Sequence, residues 1–272
     1  MSKIYDIIYS LKLNYKSWIF FLITIYLLSS KNYMNGVFNI VINFLIIYCG
    51  HYLLHVDLKK YSFLNFFNII HETHHKNHGW FIFFAEILLE FFSITFISFI
   101  KIFIQSICNI YFFDTILNNI NIPLNIFAFL LYTSIHYINY SYLHLTNTHE
   151  LHHIDNFKNI FPDFFDILFD TKYKHDYKNK DQSYIENTDH YIPNIIISTI
   201  IIYSFLYFYN NYNYQKIFDY IFFFTYIYVF IILSISTIRL LDEKHNKEIK
   251  KYKKKLKKYK KKLGKYKDIS IL

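Results

Sequence analysis

Glycine, proline and cysteine are all scarce, at 4, 3 and 2 residues in a chain of 272. Two cysteines, Cys49 and Cys108, each inside an apolar run, exclude a disulfide framework and read as small buried apolar side chains. No dinucleotide-binding glycine pattern occurs, and no haem-binding domain is visible. With 54% hydrophobic and 22% aromatic residues, the chain is neither low-complexity nor an ordinary soluble domain. It reads as a polytopic membrane protein. The wealth of Ile, Asn, Lys, Tyr and Phe matches the coding bias of an AT-rich genome, so single Asn and Tyr residues carry little weight.

A bilayer core of about 30 Å needs roughly 20 apolar residues in helix. Segments 37–55, 81–100, 122–143 and 217–241 meet that length, while 17–30 and 195–209 are shorter and 102–117 reads as an extension or a re-entrant piece. The N-terminal run follows Lys3, Lys12 and Lys16 without a small-x-small cleavage site, so a retained anchor is expected. The expected fold is all-α, a polytopic helical bundle of about 4–6 spans over 1–241, followed by a lysine-rich tail, 242–272. Three membrane hairpins put 1–16, 56–80, 144–193 and 242–272 on one side. Those segments hold nearly all the lysines, against Lys31, Lys101 and Lys216 opposite, so the positive-inside rule makes their side cytoplasmic.

Two copies of one pattern stand out among the 14 histidines: His71-Glu72-Thr73-His74-His75 and His149-Glu150-Leu151-His152-His153. At about one His per twenty residues, one such cluster arises by chance in only a few per cent of chains this long, and a pair far more rarely. His51 and His55 are four apart at a helix end, so both imidazoles project from one face, which is ligand spacing. His78 follows one turn after the first box, and His136 and His144 close the third long apolar run. Imidazole suits iron, copper and zinc. A catalytic zinc takes three protein ligands, whereas so many histidines converging from several segments suggest two metals. Each box also fits HExxH, the zinc protease pattern with Glu as general base. One such motif suffices there and leaves His74 and His152 without a role, so the repeated extra histidine favours two metals.

On these residues the chain resembles the fatty acid hydroxylase/sterol desaturase superfamily of membrane non-haem di-iron enzymes. His51-Tyr52-Leu53-Leu54-His55 matches the family's HxxxH box, 71–75 its HxxHH box and 149–153 its last box. Asn156 or Asn159, followed by the segment 165–171 with Asp166, resembles the family's closing Asn and WDxxFGT. The resemblance spans about residues 37–175. It departs at Phe165 and Asp170, which replace Trp and Gly, and at the third element. There Tyr140 stands where a second His would follow His136, and His144 comes about 12 Å further along a continuous helix, too far to share one metal.

The resemblance implies metal ligands at His51, His55, His71, His74, His75, His136, His149, His152 and His153. His144, His78, Glu86, Glu90 and Asp166 are candidates for further ligands or for groups that hold a ligand in place. His175 reads as a surface residue, and His190 and His245 are assigned to solvent. Two iron ions are the implied cofactor, with zinc the alternative occupant. The implied activity is hydroxylation or desaturation of a fatty acyl or sterol C–H with dioxygen, in the endoplasmic reticulum membrane. Electrons would come from a cytochrome b5-type or ferredoxin-like donor. A catalytically degenerate scaffold of the same fold is the non-enzymatic alternative.

The basic balance is local, since 14 of the 29 Lys and Arg lie between Lys244 and Lys267. Within it Ile249, Tyr252, Leu256, Tyr259, Leu263 and Tyr266 recur at spacings of three and four. An interfacial amphipathic helix drawn to anionic lipid is expected. Lysine at nearly every flanking position would repel a parallel coiled-coil partner, and nucleic acid fits a juxtamembrane segment least.

Overall fold

The computed structural model describes residues 3–29, 32–56, 66–76, 79–108, 110, 112–173, 185–211 and 215–267, with side chains to residue 259. Among them there is no strand. Three helices, Tyr33–His55, Thr188–Asn210 and Gln215–Tyr259, are long and apolar enough to cross a membrane, and five if each of two bent pairs is one span. The first bent pair is α1 (Lys3–Leu13) and α2 (Tyr15–Leu28), which meet at 77°. Next comes α3 (Tyr33–His55), whose start is capped by the Asn32 side chain accepting from Asn35 N at 3.2 Å. A β-carbon on Gly36 would lie 2.7 Å from Ile25 Cγ2, so one of the few glycines sits where α2 and α3 touch.

The short α4 (Asn68–His74) leads to the second bent pair, α5 (Trp80–Ile94) and α6 (Phe96–Ile102). The single straight span expected over 81–100 is instead broken by 55°. At the break the Thr95 hydroxyl donates to Phe91 O at 2.7 Å, a back-bond known to bend helices. A π-helical turn, Phe103–Ile107, follows, then α7 (Asp114–Leu117).

The centre of the bundle is α8 (Ile122–Ser134), packed among α2, α3, α5 and α11 (Ile192–Asn211). Leu124, Phe127 and Ala128 of α8 are fully buried against Phe21, Ile25 and Leu28 of α2. Single Asn residues matter more than their abundance suggests. Asn125 donates to Asn43 Oδ1 at 2.9 Å and to Ile94 O at 2.8 Å, tying α8 to α3 and α5. The end of the run expected over 122–143 is not α-helical but a π-helix, Ile135–Tyr142. Then come α9 (Thr148–Ile154), α10 (Asp163–Leu168) and a 3₁₀ turn, Thr188–Tyr191, before α11.

Finally α12 (Gln215–Lys267) runs unbroken for 53 residues, or about 80 Å at 1.5 Å per residue. Its upper half closes a second core, where Leu233 meets Ile70, Ala85 and Leu89. No break separates the body from the lysine-rich segment, so the tail continues the axis of its span, with Tyr252, Leu256 and Tyr259 exposed. Both cysteines are free and exposed, contrary to the expectation of burial. They lie on an exterior that also carries Ile23, Ile200 and Ile231, an apolar surface of the kind lipid covers.

Candidate metal centre

Four short stretches deliver histidines to one end of the bundle. The last turn of α3 carries His51 and His55; α4 and its C-cap carry His71, His74 and His75; the π-helix carries His136; and α9 carries His149, His152 and His153. Within α4 and α9 the i, i+3, i+4 spacing turns all three rings of each box to one side. The rings form two adjacent groups. His51, His55, His71 and His152 have ligand nitrogens within 4.8 Å of one another, and so do His74, His149 and His153. His75 stacks on His153 with ring centroids 4.2 Å apart and brings Nε2 to 3.2 Å from His71 Nε2. His136 brings Nε2 to 3.2 Å from His149 Nε2. All nine histidines expected as ligands are therefore together.

The outer nitrogens are held from behind. His51 Nδ1 lies 3.0 Å from Ile160 O, and His152 Nδ1 lies 2.7 Å from Lys158 O. A carbonyl only accepts, so both Nδ1 atoms carry the proton and both Nε2 atoms present a lone pair. The two acids inside the apolar helix α5 do the same for the other boxes. Glu86 accepts from His71 Nδ1 at 2.5 Å, and Glu90 accepts from His136 Nδ1 at 2.6 Å. Both carboxylates are buried, as membrane-embedded acids facing a bundle interior are. Carboxylate and carbonyl partners of this kind fix ring orientation and raise ligand basicity.

The inward side supports the fit of a cation. His71 and His152, both protonated at Nδ1, point their lone pairs toward His55 Nε2 at 3.0 and 3.1 Å. His51 Nε2 is buried without a hydrogen-bond partner among the described residues. Lone pairs converging in a buried space are costly unless an N–H donor, as in a His55 tautomer protonated at Nε2, or a cation lies between them. Burial, then neighbouring imidazoles, push His75 and His149 far below the usual histidine range. Burial likewise brings His152 down to about 3 against the opposing hydrogen bond to Lys158 O. Neutral imidazole, oriented by Nδ1 and bare at Nε2, is the form that binds iron, copper or zinc.

Asp166 belongs to this support, but acts at one remove. Its carboxylate accepts from Ile160 N and Phe161 N, both at 2.9 Å, and from the Thr171 hydroxyl at 2.7 Å. It thereby fixes the turn whose Ile160 carbonyl orients His51. Of the two candidate Asn residues, Asn159 is the structural one. It has φ 51°, donates to Thr148 O at 3.1 Å and accepts from Tyr173 N at 3.0 Å, pinning the start of α9.

Other residues fall away from the centre. His144 is exposed with φ 48° and lies 3.5 Å from Glu150 on the surface, because the chain leaves the π-helix before reaching it. His245 is exposed on α12, and His78 and His175 lie outside the described residues. Glu72 faces Lys244 at 3.9 Å, and both Glu72 and Glu150 are more than half exposed.

His190, assigned to solvent from the sequence, is only 16% exposed and lies 3.3 Å from Glu186. Glu186 accepts from Tyr140 at 2.9 Å, Tyr191 at 3.2 Å and Thr146 at 3.1 Å. Although burial pushes Glu186 up, His190, Lys172 and Tyr140 outweigh it and hold the carboxyl below its usual range. Tyr140, the residue in place of the missing third-box histidine, stacks nearly parallel on His149 with centroids 6.1 Å apart. Sequence reading missed Glu186, Lys172 and Asp163; Lys172 and Asp163 form a buried ion pair. Nothing in their spacing marks them: Glu186 takes Tyr140 and Thr146 from 46 and 40 residues away, and Lys172 and Asp163 pair across a nine-residue separation that no helix or strand repeat singles out. No protein-family model, curated protein or solved structure matches this chain, so the assignment of the centre rests on its own geometry.

Proposed function

We propose that this chain is a membrane oxygenase that binds two irons between its histidines and hydroxylates or desaturates a lipid C–H. The observation that carries the reading is the pair of adjacent histidine groups, four and three rings, oriented so that Nε2 faces inward. His51, His55, His71 and His152 would hold one iron. His74, His149 and His153 would hold the other with His136, and His75 stands between the two. Two irons bound there supply reduction of dioxygen, consuming two electrons and two protons, with one oxygen atom entering the C–H bond and one leaving as water in hydroxylation, or both leaving as water in desaturation.

The chain's own contribution is positional. Glu86, Glu90, Ile160 O and Lys158 O hold the imidazoles in one tautomer and one orientation. His51, His71, His74, His136 and His152 are buried, and removal from water strengthens charge interactions around them. No electron-carrying domain is recognisable in the sequence, so a separate donor protein of cytochrome b5 or ferredoxin type is the proposed partner. The lysine balance of the loops supports a cytoplasmic position for the histidine end, and an endoplasmic reticulum membrane is the proposed location. The first turns of the lysine-rich extension of α12 would reach anionic headgroups at that surface.

The outward position of Glu72 and Glu150 speaks against the zinc protease reading. A scaffold that binds metal without turnover is separated by lipid profiling of cells with and without expression. A new hydroxylated or unsaturated lipid that vanishes in His152→Ala supports the oxygenase. Unchanged lipids in cells whose protein carries iron support the scaffold.

A further inference from the structure

The helix α1 has its faces reversed for a helix in water. Ile4, Ile8 and Leu11, spaced i, i+4 and i+7, are 69%, 59% and 42% exposed, while Asp6 and Ser10 on the opposite side are buried. A helix on a water-covered surface turns its apolar stripe to the core instead. The polar side of α1 is engaged by the protein. At the joint with α2, Asn14 donates to Ser10 Oγ at 3.5 Å and to Glu186 O at 3.0 Å, and accepts from Thr188 N at 2.8 Å. At the other end Lys3 donates to Leu168 O at 3.3 Å and pairs with Asp170 at 2.9 Å. These contacts seat α1 on α10 and leave its apolar stripe outward.

The depth of α1 in the bundle points the same way. Phe21 of α2 stacks on Phe44 of α3 with ring centroids 5.4 Å apart. From that pair toward the histidines, the stretch of α2 up to Tyr15 covers about 9 Å and the stretch of α3 up to His51 about 10 Å. The joint therefore lies level with His51. There the chain turns by 77° into α1, while α3 continues and exposes Leu53, at 51%, beyond that level. The apolar exterior thus extends past α1. Lys12 and Lys16, both exposed, flank the stripe.

We infer that α1 is an in-plane membrane helix whose outward stripe, Ile4, Ile8 and Leu11, lies among the acyl chains of the histidine-side leaflet. Lys12 and Lys16 have stems long enough to carry their charges to anionic headgroups, and the exposed Tyr5 and Tyr9 suit the same boundary. An amphipathic helix lying on a bilayer keeps its polar face in water, whereas the polar face of α1 meets α10 and the 186–188 turn. Asp166 of α10 fixes the turn that orients His51, so the support of the centre is seated on a lipid-embedded helix. This requires lipid around the bundle, and neither metal nor turnover.

In the full chain, Cys49 and Cys108, both exposed, are replaced by alanine, and one nitroxide is attached at Ile4→Cys, Ile8→Cys or Leu11→Cys. Ile23→Cys on the exposed side of α2 and His144→Cys on the exposed surface serve as lipid and water references. In bilayer discs of phosphatidylcholine with phosphatidylserine, collisions with dissolved oxygen and with a water-soluble nickel chelate are compared. The three α1 labels should follow Ile23→Cys, with oxygen prevailing, at a depth of about 5–10 Å below the headgroups. Labels that follow His144→Cys would put the stripe in water and overturn the inference. So would labels that meet neither collider, since protein would then cover the stripe, and dipolar broadening between chains would name a second copy as that cover.

The unmodified chain offers an independent measurement. A phosphatidylcholine with a photoactivatable diazirine near the headgroup end of its acyl chain should label residues 3–13 as strongly as residues 15–28. Labelling of 15–28 without 3–13 would overturn the placement of α1.

Discussion

In the group formed by His51, His55, His71 and His152, three rings are buried and one is half-buried; in the group formed by His74, His149 and His153, only His74 is buried. The first group is braced by Glu86, by Ile160 O and by Lys158 O, whereas the described support of the second comes through His136 from Glu90. Closed sites serve structure, and sites more open to their surroundings keep a position for substrate or oxygen. On the proposed function, the more open group would be the reacting side and the closed group would hold the centre together.

The sharpest way to break that contrast is to remove one ligand from each group. His152→Ala should lose metal from both positions, because its ring also seals the closed group. His153→Ala should keep about one metal per chain with its affinity lowered, since the closed group stays complete. Metal analysis after size exclusion reads both, and equal loss in the two variants removes the distinction.

Next in size is the bracing. Glu86→Gln and Glu90→Gln should each weaken metal binding by about 10–100-fold, Glu86→Gln acting on the closed group and Glu90→Gln on the open one. Competition with a chelator measures it. Asp166→Ala should cost about 2–4 kcal/mol, the loss of hydrogen bonds to a buried carboxylate, seen as a lower denaturation midpoint. It should disturb the closed group alone, since the turn it holds carries the Ile160 carbonyl that orients His51.

Acidification should destabilise the metal-free protein. Burial holds His152 at about 3 in the folded chain, against an unfolded value near 6.5. As pH falls below about 6.5 the unfolded chain takes up protons that the folded chain refuses, so stability falls from there toward pH 3. Asp163, raised to about 6 by burial despite Lys172, takes up its proton more readily when folded and offsets part of that loss below pH 6. Melting at pH 7.5 and 5.5 should show the lower value at 5.5, and a higher one would reverse the assignment. The smallest effect is expected from Glu72→Gln and Glu150→Gln, which touch only the surface and should leave metal content unchanged.

Much of this was legible in the sequence because helix periodicity is local. His71 to His75 and His149 to His153 each need only one helical turn to align their rings, and Glu86 and Glu90 stand out as acids in an apolar run. The helix α3 and the apolar part of α12 follow from apolar length alone, whereas the continuation of α12 through the lysines to Lys267 does not. What escaped reading depends on contacts between distant segments or on departures from the α-helix. The π-helix at 135–142 resolves the irregular third box by keeping His136 inward and releasing His144, yet no residue there demands it. The bend at Thr95 comes from one hydroxyl in an otherwise ordinary span. Asp166 acts through a backbone carbonyl six residues before it, and Glu186 gathers partners from 140, 146 and 191. Such links have no signature in spacing.

The central claim is that nine histidines form one centre for two metals. Its most direct test is metal content of the purified full chain by mass spectrometry of the elements. The account predicts about two irons per chain, falling to about one in His153→Ala. A single tightly bound zinc with no iron, unchanged in that variant, would contradict it.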